Sequence, residues 1–191
     1  MEYQKLQPEF YLQDTLPVAR QLLGKYLVHE TAQGKLVCRI TETEAYCGPK
    51  DRACHSYQRK SPDGRTNIMY KSGGLSYVYL IYGMYCCFNV VTCPENQPEA
   101  VLIRSAKPVE GMEIMSELRR SKKGISPKEK DLLTGPGKLC TAMDISRQLY
   151  GECLWDDVLY LAEGEDVPDS AVKCGPRINV DYAEEDALLP Y

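Results

Sequence analysis

The pattern of apolar and polar positions predicts a fold that mixes strands with a few helices. Residues 26–31 and 35–44 have strand character, and Gln33-Gly34 supplies a short turn between them. Further strands are predicted at 100–106, near 158–161 and near 176–180. No repeat, linker or composition break marks a second domain. The expected fold class is therefore mixed α/β (α+β), in a single domain spanning residues 1–191.

The most unusual stretch is an uncharged ribbon at residues 75–91, which holds four tyrosines and a phenylalanine around one central glycine, Gly83. β-Branched, aliphatic and aromatic residues on both sides of a lone glycine predict two strands and a tight bend. Such a hairpin can be buried in the core or protrude as an aromatic wedge. With the bend at Gly83, Tyr82 and Met84 would lie at the tip, where a core role is awkward.

Helical signals are fewer and shorter than strand signals. Asp14 is a candidate N-cap, Pro17 lies in the first turn that follows it, and Gly24 is a candidate C-cap. Residues 108–120 carry a helical apolar stripe, and residues 135–138 open another short helix. The long polar loop at 46–74 is rich in cationic residues, and a loop of this length usually serves function.

The predicted strand at 35–44 ends in a glutamate that follows an apolar strand face. Strict alternation puts Leu36, Cys38 and Ile40 on one face together with Glu42 and Glu44. Glu44 should then emerge from the apolar face and be partly desolvated, which is how a glutamate becomes a base. A glycosidase-like pair with Glu42 fits poorly, because both carboxylates would face the same side of a sugar.

Composition narrows the class of protein. The 191 residues are 43% hydrophobic and 26% charged, as in one ordinary globular domain. No run of residues is apolar enough to cross a membrane or to direct export, so the expected location is cytoplasmic, with the nucleoid as the site in a prokaryote. Nine cysteines without a Cys-x-x-Cys pair and only two histidines favour reduced thiols over a metal site, and no cofactor is implied.

The net charge of −4 conceals an uneven distribution of charge. Residues 152–191 carry eleven acidic and two basic side chains, a net −9, while residues 1–151 have a net charge of +5. Local fields steer polyanions more than net charge does, so the basic body is compatible with a nucleic-acid partner. A solvated surface of mixed charge explains the same numbers.

The residues alone leave two hypotheses of different class open. In one, the protein is a binding module that stacks nucleobases on the aromatic ribbon. In the other, it is an enzyme acting on a base extruded from a duplex: tyrosines and His55 enclose the base, Glu44 activates water with Arg104 nearby, and Tyr82 fills the gap.

Several motifs, taken in order, resemble the 3-methyladenine (alkyladenine) DNA glycosylase family of the human type. The resemblance covers nearly the whole chain and rests on these segments: Glu42-Thr43-Glu44-Ala45-Tyr46 with Gly48-Pro49, Ala53-x-His55-Ser56, residues 77–85 with Asn89, residues 101–106 with Pro108, Gly135-Pro136-x-Lys138-Leu139-Cys140, and Arg177-Ile178-Asn179-Val180. It implies a curved, mainly antiparallel sheet with flanking helices and a protruding aromatic hairpin.

The resemblance also implies roles for individual residues. Glu44 would be the general base and Arg104 would help to hold the attacking water. Tyr82 would intercalate through the minor groove in place of the flipped nucleotide, and Met69 and Tyr70 would touch the opened groove. The pocket for the flipped base would consist of Tyr46, Ala53, His55, Tyr79, Asn89 and Ile178.

The implied activity is that of a monofunctional glycosylase in base excision repair. Its partner would be double-stranded DNA carrying alkylated or deaminated purines: 3-methyladenine, 7-methylguanine and, as a further candidate, hypoxanthine. No partner protein or membrane is implied, and a monomer is the default. Asn179 stands where some relatives have glycine, a departure that bears on lesion preference.

Overall fold

The computed structural model describes residues 2–59, 63–124 and 127–191, and its framework is one antiparallel sheet. The six strands lie side by side in the order β3-β4-β5-β2-β1-β6, and each pairs antiparallel with its neighbours. The strands are β1 Tyr26–Thr31, β2 Gly34–Tyr46, β3 Ser76–Ile81, β4 Tyr85–Thr92, β5 Glu99–Glu110 and β6 Leu159–Ala162. The curled sheet and the few helices confirm the mixed α/β fold class.

The helices cover one face of this sheet. They are α1 Pro8–Tyr11, α2 Thr15–Gln21, α3 Met112–Lys123 and α4 Pro136–Ala142. Helix α4 packs on β4 and β5, α3 packs on α4 and β2, and α2 packs on β2 and β5. The main apolar core, which includes Leu36, Phe88 and Ile103, is buried between these helices and the sheet. No helix in the described part of the chain is long and apolar enough to span a bilayer.

The opposite face of the sheet is covered by irregular chain. The loop between β2 and β3 contributes Cys54 and Met69 to a second apolar cluster with Tyr77 on β3. The segment after β6 contributes Val180 and Ala183, which pack against the loop. Irregular chain can pack closely on a sheet only where its buried backbone N–H and C=O groups have hydrogen-bond partners. On this face, individual hydrogen bonds therefore determine the path of the chain.

The aromatic ribbon forms the hairpin of β3 and β4, as the sequence predicts. Its turn contains Tyr82 (φ +52°) and Gly83 (φ +68°), and the Met84 N–H donates to the Ile81 carbonyl at 3.1 Å. Consecutive positive φ values with this hydrogen bond are typical of the tight turns that match strand twist. Tyr82 is 78% exposed and Met84 60% exposed, so the tip protrudes.

One predicted helix boundary and one predicted strand are wrong. The predicted helix at 108–120 begins only at Met112, because β5 continues through Pro108 to Glu110 and stays paired with β2. Pro108 lies at a register shift, where a residue without an N–H is tolerated. The strand predicted near 176–180 is absent, because Asn179 has a φ of +60° and breaks an extended path.

The predicted face of Glu44 is also wrong. Ile40 pairs with Ala106 and Glu42 with Ser105, so Thr41 is an extra residue on β2. Such a β-bulge shifts the alternation, and residues after it change sides. Leu36, Cys38 and Ile40 therefore face the helices, whereas Glu42, Glu44 and Tyr46 face the irregular chain.

Candidate active site

Glu44 is almost completely buried, at 4% exposure, near the end of β2. The Tyr46 hydroxyl donates to Glu44 Oε2 at 2.8 Å, and the Ile178 backbone N–H donates to Oε1 at 2.8 Å. Arg104 Nη1 lies 3.4 Å from the same Oε1. Buried carboxylates are costly unless charge and hydrogen bonds compensate them, and here one cation and two hydrogen-bond donors do so. Glu44 is thus a fixed carboxylate in a water-poor site.

Arg104 lies between two carboxylates. Its Nε donates to Glu42 Oε1 at 3.1 Å, while Nη1 approaches Glu44. The Ser105 hydroxyl donates to the other oxygen of Glu42 at 2.6 Å. Glu42 and Ser105 had no role in the sequence-based site. They meet Arg104 because a third register shift leaves Arg104 as the extra residue of β5 opposite Glu42 and Thr43.

A row of residues across four strands joins Glu44 to the aromatic hairpin. Tyr77 pairs with Asn89, Asn89 pairs with Leu102, and Leu102 pairs with Glu44. Residues directly opposite each other in a sheet project to the same face. The predicted general base and the predicted pocket residue Asn89 therefore share one face of the sheet, two strands apart.

A small aromatic pocket lies on that face. It is lined by Tyr46, Ala53, Cys54, His55, Met69, Tyr77, Tyr79, Asn89, Ala100 and Tyr182. Five of these were predicted as base-pocket residues: Tyr46, Ala53, His55, Tyr79 and Asn89. The cavity is only about 40 Å³, room for a few water molecules. A purine cannot enter until one wall moves.

His55 and Tyr79 form one wall of this pocket. Their ring centroids are 4.8 Å apart with planes at 72°, and His55 Nδ1 lies 2.9 Å from the Tyr77 hydroxyl oxygen. Burial, as the larger cause, and the nearby Arg65 guanidinium together lower the pKa of His55 to about 4. His55 is therefore neutral at physiological pH and can offer a hydrogen bond without a charge. Burial also raises the pKa of Tyr79, which keeps its hydroxyl protonated.

Three predicted pocket or groove residues lie differently from expectation. The Ile178 side chain is 48% exposed and does not line the pocket; its backbone N–H, bonded to Glu44, faces the site instead. Met69 is 1% exposed and belongs to the pocket wall, and its contact with the minor groove stays a prediction. Tyr70 is half-buried and lies outside the pocket lining, and its groove contact stays a prediction.

Ala53 lies where predicted, but both of its backbone groups are engaged. Its N–H donates to Asp51 Oδ1 at 2.9 Å and its carbonyl accepts from the Tyr182 hydroxyl at 3.2 Å. Asn89 is 3% exposed, and its Nδ2 donates to the Tyr77 carbonyl at 3.0 Å, which fixes the amide in the pocket wall. Tyr82 does not line the pocket; it lies at the exposed hairpin tip, as predicted.

The sequence-based site also missed a latch beneath the pocket. Arg177 is completely buried and bonds to both oxygens of Asp51, and it also donates to the Ala45 carbonyl at 3.0 Å. This pair holds the segment that carries Ile178 against β2. The signal for it was an isolated arginine in an acidic segment, which is too weak to identify a buried ion pair from sequence.

Comparison with known proteins finds matches along nearly the whole chain. The family model described as Methylpurine-DNA glycosylase (MPG) matches residues 9–191. A protein of Natranaerobius thermophilus is 46% identical over 95% of this chain and 90% of its own length. One from Desulfitobacterium hafniense is 47% identical over 98% and 93%, and one from Methanocella arvoryzae 48% identical over 96% and 88%. All three are named "Putative 3-methyladenine DNA glycosylase".

The fold, the buried carboxylate and these comparisons define a hydrolase that acts on N-glycosyl bonds. Within that class, the chain belongs to the methylpurine-DNA glycosylase family. It is accordingly a DNA glycosylase, an enzyme of DNA repair with DNA as its substrate. The resemblance found in the sequence is confirmed, and the hypothesis of a non-catalytic binding module is not supported.

Proposed function

We propose that this enzyme flips alkylated purines out of duplex DNA and hydrolyses their N-glycosidic bond with a water molecule activated by Glu44. The observation that carries the proposal is the buried Glu44 carboxylate, held beside the aromatic pocket by Arg104, the Tyr46 hydroxyl and the Ile178 N–H. A fixed anion in a site of low dielectric is suited both to take a proton and to stabilise positive charge that develops on the sugar.

The reaction needs few groups. The water oxygen bonds to C1′ as the N-glycosidic bond breaks, the electron pair of that bond leaves with the purine, and the proton of the water passes to Glu44. Alkylation at N3 or N7 puts a positive charge on the purine, so the departing electron pair neutralises the base and no acid is required. No enzyme amine takes part, and the strand therefore stays intact.

Recognition of the base follows from the pocket chemistry. The rings of Tyr46, His55 and Tyr79 offer faces for stacking, and a cationic base on a tyrosine gains about 0.5–2 kcal/mol. We therefore propose 3-methyladenine and 7-methylguanine as substrates. Hypoxanthine is a further candidate. Because it is neutral, its release would need hydrogen bonds to the leaving base. Asn89 would discriminate among purines at the pocket wall.

Extrusion of the nucleotide leaves a gap in the duplex. Exposing a base costs a few kcal/mol, and an aromatic side chain inserted in its place returns about 1–3 kcal/mol of stacking. Tyr82 is the most exposed aromatic ring in the described chain and lies on a tight turn. We assign the wedge role to it.

Entry of the base requires the pocket to open. Tyr182 is 66% exposed, while the other walls belong to strands or to the packed loop, and its hydroxyl donates a hydrogen bond to the Ala53 carbonyl. We assign the movable wall to Tyr182. The whole chain, residues 1–191, would act as one catalytic domain and as a monomer, in the cytoplasm or nucleoid where DNA is repaired.

The test is incubation with duplexes that carry a single 7-methylguanine or hypoxanthine, and with methylated DNA that contains 3-methyladenine. We expect strand breaks that depend on later alkali treatment, because alkali cleaves only at abasic sites. An undamaged duplex is the control. Absence of alkali-labile sites for every lesion would contradict the proposal, as would breaks that form without alkali.

A further inference from the structure

The cluster around Glu44 contains one more charge than the proposed mechanism uses. Glu42 and Glu44 are both carboxylates, and Arg104 is the cation between them. The exposed fractions of the side chains are 42% for Glu42, 13% for Arg104 and 5% for Glu44. With all three side chains ionised, the cluster has a net charge of −1. The carboxylate that pairs less strongly with Arg104 is the one whose negative charge is less neutralised.

Geometry favours Glu42 as the closer partner of Arg104. The Nε of Arg104 donates a hydrogen bond to Glu42 at 3.1 Å, whereas its contact with Glu44 is an ion pair at 3.4 Å. Hydrogen bonds between ionised groups are about twice as strong as neutral ones. Glu42 therefore holds the guanidinium by its Nε edge and competes with Glu44 for the same cation.

Glu42 is itself held in place. The Ser105 hydroxyl donates to Glu42 Oε2 at 2.6 Å, and Ser105 Oγ accepts the Gly135 backbone N–H at 3.2 Å. Both oxygens of Glu42 are thus engaged, although the residue lies at the rim of the site. A surface carboxylate with no task is not expected to be restrained at both oxygens, because ordering a long side chain costs entropy.

We propose that Glu42 is a positioning residue that shares the charge of Arg104 from the outer side and so leaves Glu44 less strongly paired for the reaction. The inference rests on the proposed function, since it concerns the basicity of Glu44. Without the charge of Glu42, Arg104 would pair with Glu44 alone. Glu44 would then accept a proton less readily and stabilise a cationic sugar less well.

The test is Glu42→Gln, which keeps the shape of the side chain and removes its charge. We expect the single-turnover rate of base release to fall by roughly tenfold to a hundredfold, as one charge a few ångströms from the reacting group is lost. Affinity for lesion DNA should stay the same or increase, because a negative charge near phosphate is removed. A merely structural role would lower the rate and the affinity together.

Two further variants keep the test sharp. Glu42→Asp retains the charge and should release base faster than Glu42→Gln, whereas a requirement for shape alone predicts the opposite order. Glu30→Gln is the matched control, because Glu30 is a similarly exposed carboxylate (39%) paired with Lys35 at the opposite end of β2 from Glu44. Its rate should equal that of the wild type.

A Glu42→Gln rate within twofold of the wild type would overturn the inference, as would equal losses of rate and affinity. The proposed function fails by a different result, namely no base release by the wild type and Glu30→Gln, or full release by Glu44→Gln. The two failures are therefore distinguishable in one set of assays.

Discussion

At the scale of single residues, His55 links the pocket to the pH dependence of stability. Its pKa falls from 6.5 to about 4 in the folded protein because the ring is buried. The unfolded chain therefore binds more protons between these two values, and stability rises with pH across that window. The folded state is fully stable in this respect above pH 6.5 and loses up to about 3 kcal/mol as the pH falls to 4.

His55→Gln isolates this effect. The variant lacks the titrating ring, so its free energy of unfolding should change less between pH 6.5 and pH 4 than that of the wild type. Chemical denaturation at several pH values measures the difference. Parallel stability profiles for the two proteins would show that His55 is not kept neutral by burial, and its uncharged hydrogen bonding in the pocket would then have no basis.

Single residues also show why the site was only partly predictable. Glu44 was recognisable because it ends a strand with an apolar face, whereas Tyr46 and His55 were placed in the pocket through the resemblance to the glycosylase family. Tyr182 gave no signal, since it lies in an acidic segment and reaches the pocket only through the hydrogen bond to Ala53. Ile178 was predicted by its side chain, but its backbone N–H is the group that contacts Glu44, which sequence patterns do not report.

At the scale of elements, the β3–β4 hairpin divides its work between two regions. Tyr77 and Tyr79 on β3 line the pocket, while Tyr82 protrudes from the turn. Lys122 of α3 donates to the Met84 carbonyl at 2.8 Å, so the tip is tied to a helix. A wedge must be both exposed and rigid, because a mobile side chain loses entropy when it is ordered between bases.

Tyr82→Ser should weaken binding to lesion duplex by about 1–3 kcal/mol, the stacking energy of one aromatic ring. Folding stability should be almost unchanged, because the side chain is 78% exposed. Leu188→Ser, at 75% exposure in the C-terminal segment, is the control for loss of an exposed apolar side chain. Equal affinity of Tyr82→Ser and wild type, measured by fluorescence anisotropy, would remove the wedge role.

The C-terminal segment is held by the Asp51–Arg177 latch. Both side chains are buried, at 2% and 0% exposure, and removal of one partner leaves an uncompensated charge. Asp51→Asn should cost about 3 kcal/mol or more of folding stability. Base release should also slow, since the Ile178 N–H loses its support against Glu44.

Urea denaturation of Asp51→Asn measures the cost of breaking the latch. Glu117→Gln is the matched control: it breaks the exposed pair with Arg120, whose side chains are 55% and 54% exposed, and should leave the midpoint where it is. If Asp51→Asn has the same midpoint as Glu117→Gln, the pair does not hold the segment, and the position of Ile178 must have another cause.

Element boundaries reveal the limit of pattern reasoning. The hairpin was predicted because its turn chemistry is local, involving Tyr82, Gly83 and Met84. The bulge at Thr41 was not, because it depends on the register between β2 and β5, which are far apart in sequence. Strict alternation therefore put Glu44 on the helix-covered face, and its burial was expected for the wrong reason.

At the scale of the whole molecule, the two faces of the sheet have different tasks. The face under α2, α3 and α4 holds the main apolar core and supplies stability. The other face carries Glu44, Arg104 and the aromatic pocket beneath irregular chain. This division explains why composition and apolar pattern predicted the fold class, whereas the site depended on hydrogen bonds and ion pairs between distant segments.

The acidic and basic side chains are unevenly distributed along the chain. The acidic side chains of residues 152–191 oppose the basic body, and some of them pair with it, as Glu163 and Asp166 do with Lys25. A net charge of −4 predicts weak non-specific binding to DNA that falls steeply with salt. We therefore expect specific binding to depend on the proposed wedge and pocket.

The central claim is that Glu44 activates the water that releases the damaged base. The most direct measurement is single-turnover release of free methylated purine from DNA by the wild type, Glu44→Gln and the control Glu30→Gln. We predict that Glu44→Gln binds the lesion duplex as the wild type does. Its rate of base release should fall by a factor on the order of a hundred or more, the usual contribution of a general base. Release by Glu44→Gln at the rate of the wild type would contradict the account.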